Sequence, residues 1–136
     1  MLQPQSESQP QEKRRPNILS PNCLSRQALE ILADKWVVLV IKSLSLGNRR
    51  NGEIMRSIRD ISQKMLTQTL RNLEYSGFIE REIFREVPPR VEYQLTELGQ
   101  SLYGLIKQIT EWAETHFEDI ISARQIHDAT SANGDE

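Results

Sequence analysis

Residues 62–95 read SQKMLTQTLRNLEYSGFIEREIFREVPPRVEYQL, and the rest of the chain is organised around them. The first part has the period of a helix. Ser62 suits an N-cap, because its hydroxyl can accept a hydrogen bond from an orphan amide of the first turn. Gly77 suits the left-handed position that closes a helix. Between them Met65, Leu66, Thr69, Leu70 and Leu73 recur at three- and four-residue spacing, which places them on one face. The other face carries Gln63, Lys64, Thr67, Gln68 and Arg71, with no acid until Glu74. Amides, a hydroxyl and two cations on one surface can donate to phosphates and read base edges in a major groove. Taken alone, such a segment is an ordinary amphipathic surface helix.

The residues after Gly77 change that reading. Phe78–Phe84 is strand-like, and Val91, Tyr93 and Leu95 alternate with Glu92 and Gln94 at period two. Pro88 and Pro89 lie between the two runs. Neither has an amide proton to give a ladder, so they mark the tip of a hairpin. Upstream, a short helix is expected from about Gly52 to Ile58, followed by a brief turn over Arg59–Ile61. Two helices joined by so short a turn form a helix-turn-helix pair whose second member enters a groove. With the hairpin directly behind it, the pair becomes a winged helix. Arg49 and Arg50 stand at the entry to the short helix. Arg85 and Arg90 flank the wing tip, where they would lie along phosphates or the minor groove. For each arginine singly, an ion-paired hairpin using Glu82 and Glu86 is a fair rival.

Further upstream, Ser25–Ala33 reads as a first helix capped by Ser25, with Ala28, Leu29, Ile31 and Leu32 as its apolar side. Trp36–Leu46 is apolar almost all round, as expected of a buried central helix, and Gly47-Asn48 stops it. Downstream, Thr96 caps a last, long helix. Leu98, Leu102, Leu105, Ile109, Trp112 and His116 follow one another in steps of four and three, which is a heptad seam. Tyr103, Ile106, Thr110, Ala113 and Phe117 form a second stripe beside it. One helix with two such stripes can cover its own domain and keep a face for a second subunit.

At 136 residues the chain suits a single domain. The fold class expected is α+β, mostly α: a winged helix-turn-helix over residues 18–121, with a dimerisation helix at about 96–121. Residues 1–17 are Gln-, Ser- and Pro-rich and read as a disordered arm, and 122–136 as a disordered tail. The net charge of −2 and pI near 5.8 give no global attraction to nucleic acid. The distribution matters more: residues 49–90 hold nine Lys or Arg against six acids in a chain that is negative elsewhere. Such a local excess is the footprint of a face that meets phosphates. A single cysteine excludes an intrachain disulfide and a cysteine-based zinc site. No secretory leader is expected from the first residues, and the longest apolar run, Trp36–Ile41, is far short of a membrane span, so a cytoplasmic protein is expected.

The run Cys23…Ala28-Leu29…Asp34-Lys35-Trp36, the pair Arg49-Arg50, and Ile61-Ser62-Gln63-Lys64-Met65-Leu66-Thr67-Gln68 resemble the HxlR family of bacterial regulators. So do Gly77-Phe78-Ile79-Glu80-Arg81, Glu86-Val87-Pro88-Pro89-Arg90-Val91-Glu92-Tyr93 and Leu95-Thr96-Glu97-Leu98-Gly99. The likeness runs from Cys23 to about Phe117. It implies a homodimeric winged-helix transcription factor, related in architecture to the MarR regulators, that binds a pseudo-palindromic operator in double-stranded DNA and often responds to a small molecule or electrophile. Three positions depart from the pattern: Asn51 replaces the usual aromatic, Asp60 the usual glycine, and Asp34 stands where Gly-Lys-Trp is common.

The candidate DNA-binding residues are therefore Arg49, Arg50, Ser62, Gln63, Lys64, Thr67, Gln68, Arg71, Arg85 and Arg90. The candidate dimerisation residues are Leu102, Leu105, Ile109 and Trp112. No catalytic constellation, cofactor motif or metal-ligand set is present. His116 and His127 lack a nearby nucleophile or partner ligand, and no Gly-rich loop follows a strand. Cys23 precedes a helix N-terminus, which stabilises a thiolate. By the resemblance it stands where a redox or electrophile sensor is found, and as a residue it reads equally well as a small, part-buried hydrophobe. The rival function is a winged-helix module that binds protein instead of an operator. A third reading is a ligand sensor with its pocket between the long helix and the core.

Overall fold

The computed structural model describes residues 17–134. The expected arm at 1–17 therefore lies outside the described residues except for Asn17. Seven elements follow in order: α1 (Leu24–Ala33), α2 (Lys35–Ser45), α3 (Asn51–Ser57), α4 (Gln63–Tyr75), β1 (Ile79–Phe84), β2 (Arg90–Leu95) and α5 (Glu97–Asn133). The contacts divide the chain between Ala33 and Asp34, so the compact unit expected from residue 18 begins at Asp34. The reason is visible in α1, none of whose residues is buried. Ten residues of helix have nothing of their own on which to close an apolar stripe.

The second unit is built on α2. Val37, Val40, Ile41 and Leu44 on it are buried, and it packs against α3, α4, α5 and β2. Leu39 and Leu46 remain exposed, so α2 is less enclosed than its composition suggested. Asp34, one of the three departures from the family pattern, starts the helix. Its Oδ1 accepts from the amides of Trp36 (3.0 Å) and Val37 (3.3 Å), a service glycine could not give. Ile54 and Ile58 from α3 and its end, Ile61 from the turn, Leu66, Leu70 and Leu73 from α4, Ile79 from the first strand, and Leu102 and Ile106 from the last helix complete the core. Ser43 is buried among them, with its Oγ 2.6 Å from that of Ser57.

α4 ends in a Schellman motif. The Phe78 amide reaches the Leu73 carbonyl (2.9 Å), the Gly77 amide reaches Glu74 (3.1 Å), and Gly77 takes φ +82°. The chain then enters an antiparallel hairpin, β1 on β2, registered from Ile79 opposite Leu95 to Phe84 opposite Arg90. A third short piece joins the sheet. The backbone of Arg49 pairs with Tyr93 through two hydrogen bonds of 3.0 and 2.8 Å, which anchors the α2–α3 connection to the wing.

α5 begins tightly against the end of α4. The Thr96 amide donates to the Phe78 carbonyl, and its hydroxyl donates to that of Gly77 (2.6 Å). A methyl group on Gly99 would overlap the Phe78 carbonyl oxygen, so only glycine fits this approach. Gly99, Leu102 and Ile106 are the buried residues of α5, and none is buried beyond Ile106. The helix nevertheless continues to Asn133, past the expected end near Ile121, so residues 122–133 are helical and not a disordered tail. That stretch contains neither Pro nor Gly and is rich in Ala, with Arg, Gln and Ile. Extending an existing helix carries no nucleation cost, and the run stops where Gly134 arrives.

Candidate nucleic-acid interface

The helix-turn-helix pair is set by its turn. Ile58 and Ile61 are buried on either side of the exposed Arg59 and Asp60, so the connection is pinned at both ends. Asp60, in place of the usual glycine, points to solvent and disturbs nothing there. Asn51 is the half-buried first residue of α3, and the Glu53 carboxylate reaches back to the Arg50 amide (3.2 Å). Ser62 is the N-cap of α4 as expected, its Oγ accepting from the Met65 amide at 3.1 Å.

The core stripe of α4 consists of Leu66, Thr69, Leu70 and Leu73, with Thr69 turning its hydroxyl back to the Met65 carbonyl (2.8 Å). Satisfying that hydroxyl within the helix lets threonine sit in an apolar stripe. The opposite side is an open hollow of about 410 Å³ lined by Gln63, Lys64, Thr67, Gln68, Arg71 and Asn72. All five residues proposed for this face from the sequence are brought together there. Asn72 lines the hollow as well, and its spacing of four from Gln68 places it on that side of the helix. The Gln63 Nε2 donates to the Thr67 hydroxyl (3.1 Å), holding the first turn of the face in one arrangement. Lys64 and Arg71 form no ion pair among the described residues. Glu74, three residues after Arg71, pairs instead with Arg81 of the wing at 3.5 Å.

The other basic candidates divide. Arg50 is exposed just ahead of α3. Arg49 is half-buried, and its backbone is committed to the bridge with Tyr93. Arg85 is exposed at the wing tip and makes no ion pair among the described residues. Arg90, expected to meet DNA, is instead turned into the wing. Its Nη2 lies 3.4 Å from Glu86, its Nε 3.6 Å from Glu92, and its guanidinium sits 4.1 Å from the Phe84 ring centre. Arg90 opposes Phe84 on the last rung of the ladder, and both carboxylates lie within reach of that rung. This arginine is therefore ion-paired, with Glu86 as the rival reading expected but with Glu92 in place of Glu82.

The expected dimerisation seam also divides. Leu102 is 8% exposed and belongs to its own domain, because the first turns of α5 lie against α2 and β2. Leu105, Ile109 and Trp112 are about half exposed, at 50%, 53% and 57%, and Phe117 joins them at 53%. Trp112 stacks on His116 with ring centres 4.7 Å apart.

In the first unit α1 starts at Leu24, so Cys23, and not Ser25, stands at its N-terminus. The Cys23 carbonyl accepts from the amides of Arg26 (3.1 Å) and Gln27 (3.2 Å). Partial burial of the thiol opposes the charged form. It is outweighed by hydrogen bonds from the Arg26 and Ser25 backbones, the Ser25 side chain and the Asn17 backbone, which leave the pKa below its usual value. Among the described residues no three His, Cys, Asp or Glu converge on a metal position, and no helix is long and apolar enough to cross a membrane.

Three likenesses agree with this architecture. The HTH-type transcriptional regulator YtcD of Bacillus subtilis is 40% identical over 92 residues, which is 68% of this chain and 73% of YtcD. The solved structure of the transcriptional regulator YtfH from Salmonella typhimurium superposes with a TM-score of 0.71 at 32% identity, covering 82% of this chain and 99% of that one. The redox regulator HypR in its reduced form gives a TM-score of 0.68 at 36% identity, over 72% of this chain and 97% of HypR. The family described as HxlR-like helix-turn-helix matches residues 31–120, the whole span from the end of α1 into α5. This chain is a member of that family of transcriptional regulators.

Proposed function

We propose that the protein regulates transcription as a homodimer that reads a pseudo-palindromic operator in double-stranded DNA. α4 enters the major groove and Arg85 lies along the backbone at the wing. The observation that carries this reading is the α4 face: four exposed donors, Gln63, Lys64, Gln68 and Arg71, on a capped helix with neither cation tied to an acid among the described residues. Side chains of these types pair with adenine and guanine edges and with phosphates. The apolar residues left exposed on α5 supply the surface for a second copy, and two-fold symmetry then sets half-sites about 34–36 Å apart. Selection of bound fragments from genomic DNA, followed by an anisotropy titration across salt, tests the reading. Log affinity should fall linearly with log salt, by about 0.9 for each phosphate neutralised. An absence of salt-dependent duplex binding would leave the protein-interaction reading in its place.

We further propose that oxidants or electrophiles modulate binding through Cys23. The lowered thiol pKa and the likeness to a redox regulator support this. A lowered pKa populates the thiolate at lower pH than an ordinary cysteine allows. Alkylation of the folded protein should therefore outpace that of the unfolded chain below the usual thiol pKa, and lose this lead above it. Diamide should change operator affinity in the wild type and not in Cys23→Ser. An equal response in both would reduce Cys23 to packing.

A further inference from the structure

Arg90 is the most constrained cation of the wing. It is half-buried, it is held by two carboxylates and an aromatic face, and its Nε is buried without a hydrogen-bond partner. Its side chain is 27% exposed, so most of its surface is covered and little is left to meet a phosphate. The ion pairs are half-solvated and individually weak. The planar guanidinium, however, contacts Phe84, Glu86 and Glu92 together, and a flexible ammonium cannot do the same.

The three contacts close around one loop. Residues 85–89 form the tip beyond the Phe84–Arg90 rung. Within it the Glu86 amide donates to the Phe84 carbonyl (2.9 Å), and the Glu86 carboxylate pairs with Arg90. Arg85 lies between Phe84 and Glu86, so both of its chain neighbours are fixed by Arg90 while its own side chain stays in solvent. We infer that Arg90 is a positioning residue of the wing: it fixes the tip so that Arg85 meets DNA without first being ordered. This inference rests on the operator-binding reading above. Ordering the tip in advance removes an entropic cost from association.

The test uses the genomic fragment recovered by the selection and four proteins: wild type, Arg90→Lys, Arg85→Ala and the double variant. Arg90→Lys keeps the charge and should lose affinity by about tenfold, because lysine cannot stack and fork at once. Arg85→Ala should weaken binding and lower the salt slope by about 0.9 in the wild type. In the Arg90→Lys background it should change almost nothing, since the tip no longer holds Arg85 in place. Phe84→Leu, which leaves every charge intact, should reproduce Arg90→Lys. Full affinity in Arg90→Lys would overturn the inference, because a point charge would then suffice. Independent losses at positions 85 and 90 would do the same, as would a fall in melting midpoint that tracks the affinity loss. Absence of salt-dependent binding in the wild type would instead refute operator binding itself.

Discussion

α4 and α5 both bury one stripe and leave another face in solvent, but the two exposed faces differ in kind. On α4 the exposed residues are Gln63, Lys64, Gln68, Arg71 and Asn72. On α5 they include Leu105, Ile109, Trp112 and Phe117, about half exposed. A polar face is stable in water and gains by meeting phosphates and base edges. An apolar face of four large side chains is not a comfortable surface for a monomer, and it gains by meeting another apolar face. One small fold thus presents two separate surfaces of different chemistry, and changes to one should leave the other intact.

The largest effect is expected where the apolar face is broken. Ile109→Asp places a charge at the middle of the α5 seam without touching the core of the domain. The mass in solution should fall from about twice to once the 15.8 kDa chain. Operator affinity should fall by about 100-fold or more, because two linked heads gain roughly 10²–10⁴ over one. The melting midpoint should lose its dependence on protein concentration, while the variant still unfolds in one cooperative step. A dimer that survives Ile109→Asp, measured by light scattering, would separate α5 from assembly.

The converse change should be smaller and purely local. Gln68→Ala and Arg71→Ala should each cost roughly 1–3 kcal/mol of operator affinity where a base contact is lost, and relax specificity at one position. The dimer mass should stay at that of the wild type. Unchanged affinity in both variants, read by anisotropy, would remove α4 from the groove. A change in mass would mean that the two faces are not separate.

How far each face could be read beforehand follows from the range of the interactions involved. The polar face of α4 follows from spacing alone, since residues four apart share a side, and its ends follow from the local chemistry of Ser62 and Gly77. The fate of Arg90 does not follow in this way, because Glu86, Glu92 and Phe84 compete for it only once the hairpin register is fixed. Leu102 and Leu105 stand in one heptad seam, yet the first is buried and the second is not. Which of them faces the core depends on how α5 meets α2, and the seam alone does not carry that information. The pairing of Arg49 with Tyr93 lacks a local signal altogether, since it joins backbones far apart in sequence. The full length of α5 escapes the sequence pattern for the opposite reason. Beyond Ile121 no apolar period marks the helix, and propensity alone extends it.

The smallest expected effect concerns how the two helices are started, where again they differ. Ser62 caps α4 through one bond, from the Met65 amide, at an exposed site. Thr96 caps α5 through a like bond of 3.1 Å from the Gly99 amide, but its hydroxyl also donates to the Gly77 carbonyl. That second bond ties the start of α5 to the glycine that ends α4, at the point where Gly99 is pressed on Phe78. Loss of a simple exposed cap costs about 1 kcal/mol. Loss of a cap that also satisfies a second backbone group should cost about 2 kcal/mol, since that carbonyl loses a partner. Urea unfolding of Ser62→Ala and Thr96→Ala should therefore rank threonine as the costlier, with equal slopes in both. An equal or reversed ranking would mean that the Gly77 carbonyl is served as well by water, and that the junction of α4 and α5 is held by packing at Gly99 alone.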